Sequence, residues 1–425
     1  MKRALIITYY WPPAGGSGVQ RWLKFVKYFR DFDIEPIVYT VKNANYPISD
    51  ESLLKEIPKD IEILKQPIWE PNNLFSLGKK KSKQSAGFLN NKPSLFGKIL
   101  QYVRANYFIP DARKFWINPS VSFLKKYLKN NQIDILITTG PPHSVHLIGL
   151  KLKEELNLKW IADFRDPWVD IDYFHHLPLT KKSLKKHQYL ERNVVKNADA
   201  VMVVGNTMKE NYLKFNKNIV TITNGFDDDI AMEKVTLDTK FSITHIGLMN
   251  SDRNPVLFWR VLKEIGDEKP QFLNDLNVNL IGKIDKEILN SIFENELTKK
   301  VNVINYVPHN KIGNYQKTSQ ILLLVVNNVP SAKGIITGKI FEYLKAKRPI
   351  LVIAPNKGDL ANIIKDTNAG FVIDYEDKEL LKSTILALYT SYKKGNLYID
   401  SKNIEQYHRK ELTKNVATLI KNITK

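Results

Sequence analysis

Lys339 and Glu342 are the residues of this sequence whose types and spacing most directly suggest chemistry. They lie three positions apart, directly after Gly338. A helix N-terminus carries partial positive charge, and a lysine in its first turn adds to that field, as an anion site requires. A glutamate one turn later can accept hydrogen bonds from a ribose diol. The glycine would let the backbone approach such a ligand closely.

The stretch around these residues has the pattern of a helix followed by a buried strand. Ile340, Phe341 and Leu344 can form one apolar side of the helix. Pro349 ends it, and residues 350–354 form an apolar run of the kind that buried parallel strands use. The pattern therefore predicts an anion site at a helix start, or, as the alternative, a solvated surface helix with an ordinary lysine and glutamate.

A further cation follows another predicted strand. Residues 241–248 have the apolar pattern of a strand, Arg253 comes after it, and Pro255 occupies the first position of the next predicted helix. A cation at this place would meet a diphosphate at the helix N-terminus. Arg253 is therefore a predicted anion-binding residue.

The chain begins with a predicted strand, a glycine-rich turn and a helix, which form the first unit of a Rossmann-like domain. The strand covers residues 3–10, the turn contains Gly16 and Gly18, and the helix runs from about residue 19 to 32. The glycine spacing is not G-x-G-x-x-G, so a nicotinamide dinucleotide site has little support. The turn is predicted either to approach a ligand or to be a tight turn without one.

Two further predicted strands lead into polar side chains. One strand ends shortly before His143 and His146, and the next runs into the hexapeptide D-F-R-D-P-W, which contains Asp163, Arg165 and Asp166. Open α/β sheets bind ligands at the carboxyl ends of their parallel strands. Crowded carboxylates beside an arginine are usually paired or functional. The hexapeptide therefore predicts either ligand contacts or an Arg–Asp clasp that orders the loop. A predicted helix follows at residues 184–197, with Glu191 on its polar side.

Length and composition limit the possible architectures. A chain of 425 residues favours two domains. The sequence has no cysteine, which excludes disulfides, thiolate metal sites and thiol catalysis. No apolar run reaches the ~18 residues that a membrane-spanning helix needs. The first apolar run is cut by Trp11-Pro12-Pro13, so it predicts a strand rather than a signal peptide, and a cytoplasmic location is expected.

The formal net charge of +20 suits nucleic acid, an anionic membrane surface or phosphorylated ligands. A lysine-rich bias spread over solvated faces would produce the same charge. Residues 71–119 lack clear periodicity and contain a lysine-rich loop at 79–83 and an amphipathic stretch at 95–108. Such a basic, aromatic-rich insertion can rest on an anionic membrane surface or pack on its own domain.

These motifs resemble those of the family-4 glycosyltransferases, and the resemblance covers almost the whole chain. The motifs are the first glycine loop, D-F-R-D-P-W, the N-G-F-D turn at 224–227, the R-N-P turn at 253–255 and G-K-x-x-E-Y from 338. The resemblance implies an α/β protein with the GT-B fold, two Rossmann-like domains facing across a cleft. It implies an acceptor domain at residues 1–227, a donor domain at 241–404 and a last helix at 405–425 that crosses back to the first domain.

The resemblance implies a retaining, metal-independent glycosyltransferase that uses a nucleotide-diphosphate sugar and needs no cofactor. Its acceptor would be a glycan or a lipid-linked glycan in surface polysaccharide assembly, with the enzyme peripheral to the membrane. By the resemblance, Arg253 and Lys339 neutralise the leaving diphosphate, Glu342 holds the ribose, and the nucleobase packs near Tyr306. The implied contacts to sugar and acceptor are Gly16, Gly18, His143, Arg165 and Asp166. The family's other glutamate, eight residues before Glu342, is Gly334 here.

Three alternatives remain open from the sequence. A sugar-nucleotide epimerase has the same architecture with different chemistry, and Gly334 would suit a transferase-like protein that binds a donor without turnover. The third alternative is a basic nucleic-acid-binding protein, although no helix-turn-helix, zinc or single-strand-binding signature supports a nucleic-acid partner. No metal is expected, because the pairs His143/His146 and Glu405/His408 have no third ligand nearby in sequence. The P-loop pattern G-x-x-x-x-G-K-S/T does not occur, so an ATPase has no support.

Overall fold

The computed structural model describes two compact units. Unit 1 contains residues 1–224 and 409–425, and unit 2 contains residues 225–408. Within the chain, the described residues are all except 45, 47, 71–94, 172, 173, 175, 176, 229–234, 306 and 308. The lysine-rich loop predicted at 79–83 lies outside the described residues.

Unit 1 is built on a parallel sheet of seven strands. These are β1 (Lys2–Thr8), β2 (Ile34–Val41), β3 (Glu62–Gln66), β4 (Ile135–Gly140), β5 (Trp160–Phe164), β6 (Ala200–Val203) and β7 (Ile219–Thr221). The order in the sheet is β3-β2-β1-β4-β5-β6-β7, the order of a doubly wound Rossmann-like domain. β4 and β5 are buried along their whole length, since a parallel sheet of this kind is covered on both faces.

The helices of unit 1 up to residue 224 connect these strands. They are α1 (Ser17–Phe29), α2 (Leu95–Tyr107), α3 (Ile117–Asn130), α4 (Ser144–Leu156), α5 (Lys181–Asn197) and α6 (Asn206–Leu213). α1 begins at Ser17, two residues earlier than the sequence predicts, and its last turn continues as a 3-10 turn at residues 30–32. The turn before α1 therefore ends at Gly16, which has a φ of +92°.

Unit 2 repeats the architecture with a six-stranded parallel sheet in the order β10-β9-β8-β11-β12-β13. The strands are β8 (Phe241–Ile246), β9 (Leu276–Ile281), β10 (Val301–Ile304), β11 (Ile321–Val325), β12 (Ile350–Ile353) and β13 (Gly370–Ile373). The helices are α7 (Val256–Glu268), α8 (Pro270–Asp275), α9 (Lys286–Glu294), α10 (His309–Thr318), α11 (Lys339–Ala346), α12 (Asp359–Thr367) and α13 (Lys378–Lys393).

The last helix, α14 (Arg409–Ile423), belongs to unit 1 and packs on α1. Leu412, Val416 and Ile420 share an apolar cluster with Trp22. These apolar positions lie at intervals of four residues, so they form one face of the helix. Burial of that face accounts for the place of this segment in unit 1.

The predicted fold class is confirmed, because each unit is a Rossmann-like α/β domain. The predicted helix and strand around Lys339 are α11 and β12. Ile340, Phe341 and Leu344 are buried, as the spacing predicts. Within the part of the chain that the structure describes, none of the helices has the length and apolar character needed to cross a membrane.

Candidate active site

Lys339 is the first residue of α11, and its side chain lies against the backbone at the end of β8. A Cβ atom placed on Gly247 would lie 2.5 Å from Lys339 Cε and 2.7 Å from Lys339 Nζ. Gly247 also has a φ of +108°, a backbone conformation that residues other than glycine rarely adopt. Only glycine at position 247 therefore leaves the space that the lysine side chain occupies.

His245, inside β8, is the neighbour of the Lys339 ammonium. Lys339 Nζ lies 3.4 Å from His245 Nε2, and His245 Nδ1 lies 3.1 Å from the carbonyl oxygen of Leu323. A carbonyl only accepts hydrogen bonds, so Nδ1 carries the proton and Nε2 is left to accept from Lys339. Burial, reinforced by the charge of Lys339, holds the pKa of His245 well below its usual range. The imidazole is therefore a neutral acceptor.

The environment of Lys339 disfavours its charge. Burial is the main cause, the Arg253 guanidinium adds to it, and Glu342 opposes it, so that the pKa of Lys339 falls to about 7. Two cations this close to each other favour an anionic ligand. Without a ligand, both the charged and the neutral form of Lys339 are therefore populated near neutral pH.

Arg253 ends a short 3-10 turn after β8 and is held by two oxygens. Its Nε lies 2.5 Å from Asn327 Oδ1, and its Nη1 donates to the carbonyl of Leu248 at 3.0 Å. Asn327 follows β11, which is next to β8 in the sheet. Arg253, Lys339 and Asn327 therefore come together at the carboxyl ends of neighbouring strands, where open α/β sheets bind ligands.

Glu342 and Gly338 complete the predicted group on α11. Gln316 Nε2, from α10, donates to Glu342 Oε2 at 2.9 Å and so orients the carboxylate. A Cβ placed on Gly338 would meet nothing within 4 Å, so the space beside this backbone is open. The side-chain oxygen of Thr337, one residue earlier, is buried and has no hydrogen-bond partner among the described residues. The remaining predicted residue of this group, Tyr306, lies outside the described residues.

Sequence reasoning does not single out three residues of this site, namely His245, Gly247 and Asn327. The available signal is the end of β8, where a histidine interrupts an apolar strand just before a glycine. A polar residue in a fully buried strand needs a partner, but the sequence does not say which one. Lys339 supplies that partner from 94 residues further along the chain.

In unit 1, Arg165 lies among backbone carbonyls. Its Nη1 donates to the carbonyl of Gly18 at 2.5 Å, its Nε donates to that of Gly140 at 3.2 Å, and its Nη2 donates to that of Pro141. A Cβ on Gly18 would lie only 2.4 Å from Arg165 Nη1. The two residues therefore join the start of α1 to the ends of β4 and β5. A substrate contact by either residue remains a prediction in addition to this structural role.

Asp163 forms an Arg–Asp clasp, but its partner is Arg21 and not Arg165. Arg21 Nη2 lies 2.9 Å from Asp163 Oδ1, and Trp22 Nε1 donates to Oδ2 at 2.6 Å. Thr139 donates to the same oxygen at 2.9 Å. Burial would raise the pKa of Asp163, but the charge of Arg21 and these hydrogen bonds outweigh it and hold the pKa below its usual value. The clasp fastens α1 to β5.

His143 is buried and stacks on Trp168, with ring centroids 4.6 Å apart. His146 is fully buried, and its Nδ1 lies 2.9 Å from Thr138 Oγ1. Burial lowers the pKa of both residues, that of His146 to about 3, so both are neutral at pH 7. In the described part of the chain, His143 Nδ1 and His146 Nε2 have no hydrogen-bond partner. Asp166, by contrast, is exposed in the loop after β5.

The loop after β5 is anchored by Glu191, for which the helical spacing predicts a place on the polar side of α5. The structure shows the opposite, because Glu191 is buried and accepts from Tyr212 Oη at 2.6 Å and from the Trp168 backbone at 3.1 Å. Trp168 Nε1 also donates to His187 Nδ1 at 3.0 Å. These contacts explain the burial, since a loop backbone inside the domain needs an acceptor.

Metal ligation finds no support in the described residues, where no group of three or more histidine, aspartate or glutamate side chains could hold an ion. Within these residues, the pair His143 and His146 has no third ligand.

Residues 85–230 match the model of the family described as Glycosyltransferase Family 4. A search among curated proteins gave no match.

Solved structures of similar fold cover nearly the whole chain. A mutant of S. aureus TarM in complex with fondaparinux, alpha-GlcNAc-glycerol and UDP is similar, with a TM-score of 0.61 and 14% identity over 99% of this chain and 100% of that chain. The sucrose-phosphate synthase of Thermosynechococcus elongatus has a TM-score of 0.57 and 12% identity over 100% of this chain and 96% of that chain. A putative UDP-N-acetylglucosamine 2-epimerase from Listeria monocytogenes has a TM-score of 0.56 and 12% identity over 99% of this chain and 96% of that chain.

At these identities the structural similarities show the fold, which is the GT-B fold of two Rossmann-like domains. The family match and this fold together support a glycosyltransferase of the family-4 type as the enzyme class.

Proposed function

We propose that this chain transfers a sugar from a nucleotide-diphosphate sugar to a glycan or lipid-linked acceptor in surface polysaccharide assembly. The transfer would retain the anomeric configuration and need neither a metal nor a cofactor. The observation that carries the proposal is the pair of cations Lys339 and Arg253 at the strand ends of unit 2, where the pKa of Lys339 falls to about 7. Such a site gains most from a ligand with two adjacent negative charges.

A nucleotide diphosphate supplies these charges. When the bond between the sugar and the diphosphate breaks, its electron pair stays on the departing phosphate oxygen. Lys339 and Arg253 would neutralise that oxygen, and His245 and Asn327 hold the two cations in place beforehand. Preorganised charges of this kind stabilise the transition state without reorganisation during the reaction. The phosphate would also raise the pKa of Lys339 and keep it protonated.

The remainder of the donor would extend along α11. Glu342, oriented by Gln316, would accept hydrogen bonds from the ribose hydroxyls. The open space beside Gly338 would admit the ligand close to the backbone. The nucleobase would pack near Tyr306, as the resemblance to the family implies. The UDP in the similar TarM structure agrees with this class of donor.

The acceptor would bind to unit 1. Asp166 offers an exposed carboxylate, and His143 offers a neutral imidazole whose Nδ1 has no partner among the described residues. A neutral nitrogen can accept a hydrogen bond from a sugar hydroxyl, and a carboxylate can do the same. Gly16 ends the turn before α1, and Gly18, in the first turn of α1, accepts the Arg165 hydrogen bond, so that Arg165 and Gly18 would shape this site.

The first experiment is a thermal-shift screen with UDP-, GDP-, ADP- and dTDP-sugars. A ligand that binds only the folded protein raises the melting temperature. We expect one nucleotide class to raise it, and the rise to be lost in Lys339→Gln and reduced in Glu342→Ala. The matched control is Lys299→Gln, since Lys299 is an exposed lysine of the same unit. Absence of any shift in a protein that melts cooperatively would contradict the donor site.

Turnover then needs an acceptor. With the bound donor and a panel of glycan and lipid-linked acceptors, we expect release of the nucleoside diphosphate, and NMR of the product would report the anomeric configuration. Addition of a chelator is expected to leave the rate unchanged.

A sugar-nucleotide epimerase is the second candidate, because a putative enzyme of this class shares the fold with a TM-score of 0.56. The two reactions are distinguished by incubation of the protein with the donor alone. An epimerase converts the sugar without an acceptor, whereas a transferase leaves it intact apart from slow hydrolysis.

A further inference from the structure

We propose that unit 1 binds an anionic lipid bilayer through a surface composed of Trp69, Tyr107, Lys114, Phe115 and the lysine-rich start of α5, hereafter the basic aromatic surface. This inference does not depend on the donor site, which lies in unit 2. It rests on exposed aromatic side chains that lie next to lysines for which the described residues provide no carboxylate partner.

The aromatic part consists of large side chains that the fold leaves in contact with solvent. Tyr107, Trp69 and Phe115 expose 66%, 56% and 40% of their surface. Trp69 and Phe115 touch edge to face, with ring centroids 4.8 Å apart, and Phe108 lies 6.1 Å from Phe115. On α2 the apolar exposure continues with Ile99 at 60%. Neighbouring apolar side chains of this size usually mark an interaction surface.

Lysines accompany these rings. Lys114 Nζ lies 5.1 Å from the ring centre of Phe115 and 5.3 Å from that of Phe108. Burial, followed by the charge of Lys186, lowers the pKa of Lys114, so Lys186 of α5 is close enough for its charge to act there. The first turns of α5 carry four exposed lysines, at positions 181, 182, 185 and 186.

A direct link joins α2 to this lysine-rich helix start. Asn106 donates to the carbonyl of Pro178 at 2.8 Å and accepts from the Thr180 backbone at 2.8 Å. Thr180 is the N-cap of α5. The aromatic rings, Lys114 and the α5 lysines are therefore parts of one continuous region of unit 1.

The charge of this region is not balanced within the described residues. None of the four α5 lysines forms an ion pair there, and α5 has no acidic residue in its first turn. A helix N-terminus already favours anions, so four lysines at this end cost stability unless a negative partner is present. An anionic bilayer supplies a negative surface for the lysines and an interface in which tryptophan and tyrosine rings are favoured.

A single-stranded nucleic acid also attracts lysines and stacks on aromatic rings. The aliphatic part of the region favours lipid, because Ile99 and the 37% exposed Leu184 offer nothing to a nucleotide but can enter the acyl boundary. Nucleic-acid binding is therefore treated as an outcome of the test.

The test is co-sedimentation of the full chain with phosphatidylcholine vesicles, with and without phosphatidylglycerol. One variant removes charge from the surface, Lys182→Gln/Lys185→Gln/Lys186→Gln, and another removes the rings, Trp69→Ser/Tyr107→Ser/Phe115→Ser. The matched control is Lys126→Gln/Lys129→Gln/Lys151→Gln, which removes the same charge from a basic groove between α3 and α4 in the same unit. Far-UV circular dichroism and melting curves verify that each variant is folded.

We expect the wild type and the control to bind only the anionic vesicles. The α5 variant should bind roughly a hundredfold more weakly, since each lysine near an anionic surface contributes about a factor of five. The ring variant should lose the part of the binding that survives high salt. The nucleotide-induced thermal shift should persist in all variants, which separates a failure here from a failure of the donor site.

Equal loss in the control variant would show that only overall charge matters and would overturn the proposal. The same conclusion would follow from equal binding to neutral vesicles. Displacement of the vesicles by an oligonucleotide that binds more tightly, or a dimer in solution that the ring variant disrupts, would reassign the surface to another partner.

Discussion

Lys339 Nζ lies 3.4 Å from His245 Nε2. The lysine side chain occupies the space beside Gly247, where an added Cβ atom would lie 2.5 Å from Lys339 Cε. Because His245 Nδ1 donates to the Leu323 carbonyl, the lysine faces an acceptor that carries no charge. The pair holds the ammonium in position without neutralising it.

The affinity for a nucleotide sugar should fall as the pH rises above 7. Only the protonated lysine attracts the diphosphate, and the pKa of Lys339 without ligand is about 7. The diphosphate of a nucleotide sugar does not titrate in this range, so the lysine controls the slope. By linkage the affinity should be nearly constant below pH 7 and then fall by up to about tenfold per pH unit. Calorimetric titration between pH 6 and 9 measures it.

Lys339→Arg is the control for that profile, because arginine stays charged throughout this range. Its affinity should be lower but independent of pH. A wild-type profile as flat as that of Lys339→Arg would contradict the assignment of the slope to Lys339.

Lys339→Met should stabilise the protein without ligand. Methionine fills a similar volume and removes a partly buried cation beside Arg253. We therefore expect the free energy of unfolding at pH 7 to increase by about 1–2 kcal/mol. The lysine's pKa is lowered from 10.5 to about 7, so between these values the unfolded chain holds a proton that the folded chain has lost. The wild type therefore regains stability as the pH rises through this window, and the advantage of the variant shrinks.

Melting curves at pH 7 and pH 10 measure this advantage, with Lys299→Met as the comparison. A loss of stability at pH 7 in Lys339→Met would contradict the prediction that the charge of Lys339 destabilises the protein without ligand.

Two glycines of the site should respond differently to alanine. In Gly247→Ala, the new Cβ would lie 2.5 Å from Lys339 Cε at a φ of +108°, so we expect a loss of about 2 kcal/mol and at least a tenfold loss of nucleotide affinity. In Gly338→Ala, φ is −58° and the Cβ meets nothing within 4 Å, so stability should be unchanged. Thermal melting and calorimetry separate the two effects.

The nucleotide affinity of Gly338→Ala tests how closely the ligand approaches the backbone at this residue. If the ligand approaches this backbone closely, as the sequence predicts, Gly338→Ala weakens nucleotide binding while the melting temperature without ligand stays the same. Unchanged affinity would place the ligand away from Gly338.

Asp163→Asn should destabilise unit 1 by about 3–5 kcal/mol, because it leaves the charge of the buried Arg21 uncompensated. The folded pKa of Asp163 is lowered, so its carboxylate contributes stability above the ordinary aspartate pKa, and this contribution is lost as the pH falls through the folded value. The difference between the proteins should therefore be largest near neutral pH and shrink in acid. Melting curves measure it, and Glu154→Gln, at an exposed carboxylate of α4 in the same unit, should leave the stability unchanged.

The local elements could be read from the sequence because their signals are local. The apolar spacing of Ile340, Phe341 and Leu344 and the following apolar run predict α11 and β12, and both form where expected. The same reasoning fails for Glu191, whose position in the helical pattern predicts exposure. Its burial depends on a loop backbone and a tyrosine from other parts of the chain, which no spacing within α5 reveals.

The partners of charged residues show the same limit. The hexapeptide D-F-R-D-P-W suggests an Arg–Asp clasp within the loop, between Arg165 and one of its two aspartates. The structure pairs Asp163 with Arg21 and places Arg165, which follows the end of β5, among backbone carbonyls. Separation along the chain is therefore a poor guide to which charges meet.

By itself, the sequence determined the two Rossmann-like units, the place of Lys339 and Glu342 at a helix start, and the exclusion of thiol chemistry, because periodicity, glycine turns and composition act over short distances. Tertiary structure alone decided that Lys339 faces His245 across Gly247 and that Arg253 is held by Asn327. These contacts join β8 and the turn after it to residues 94 and 74 positions away. They exist because parallel strands bring the ends of distant segments to one edge of a sheet, where the charge of each group depends on the others.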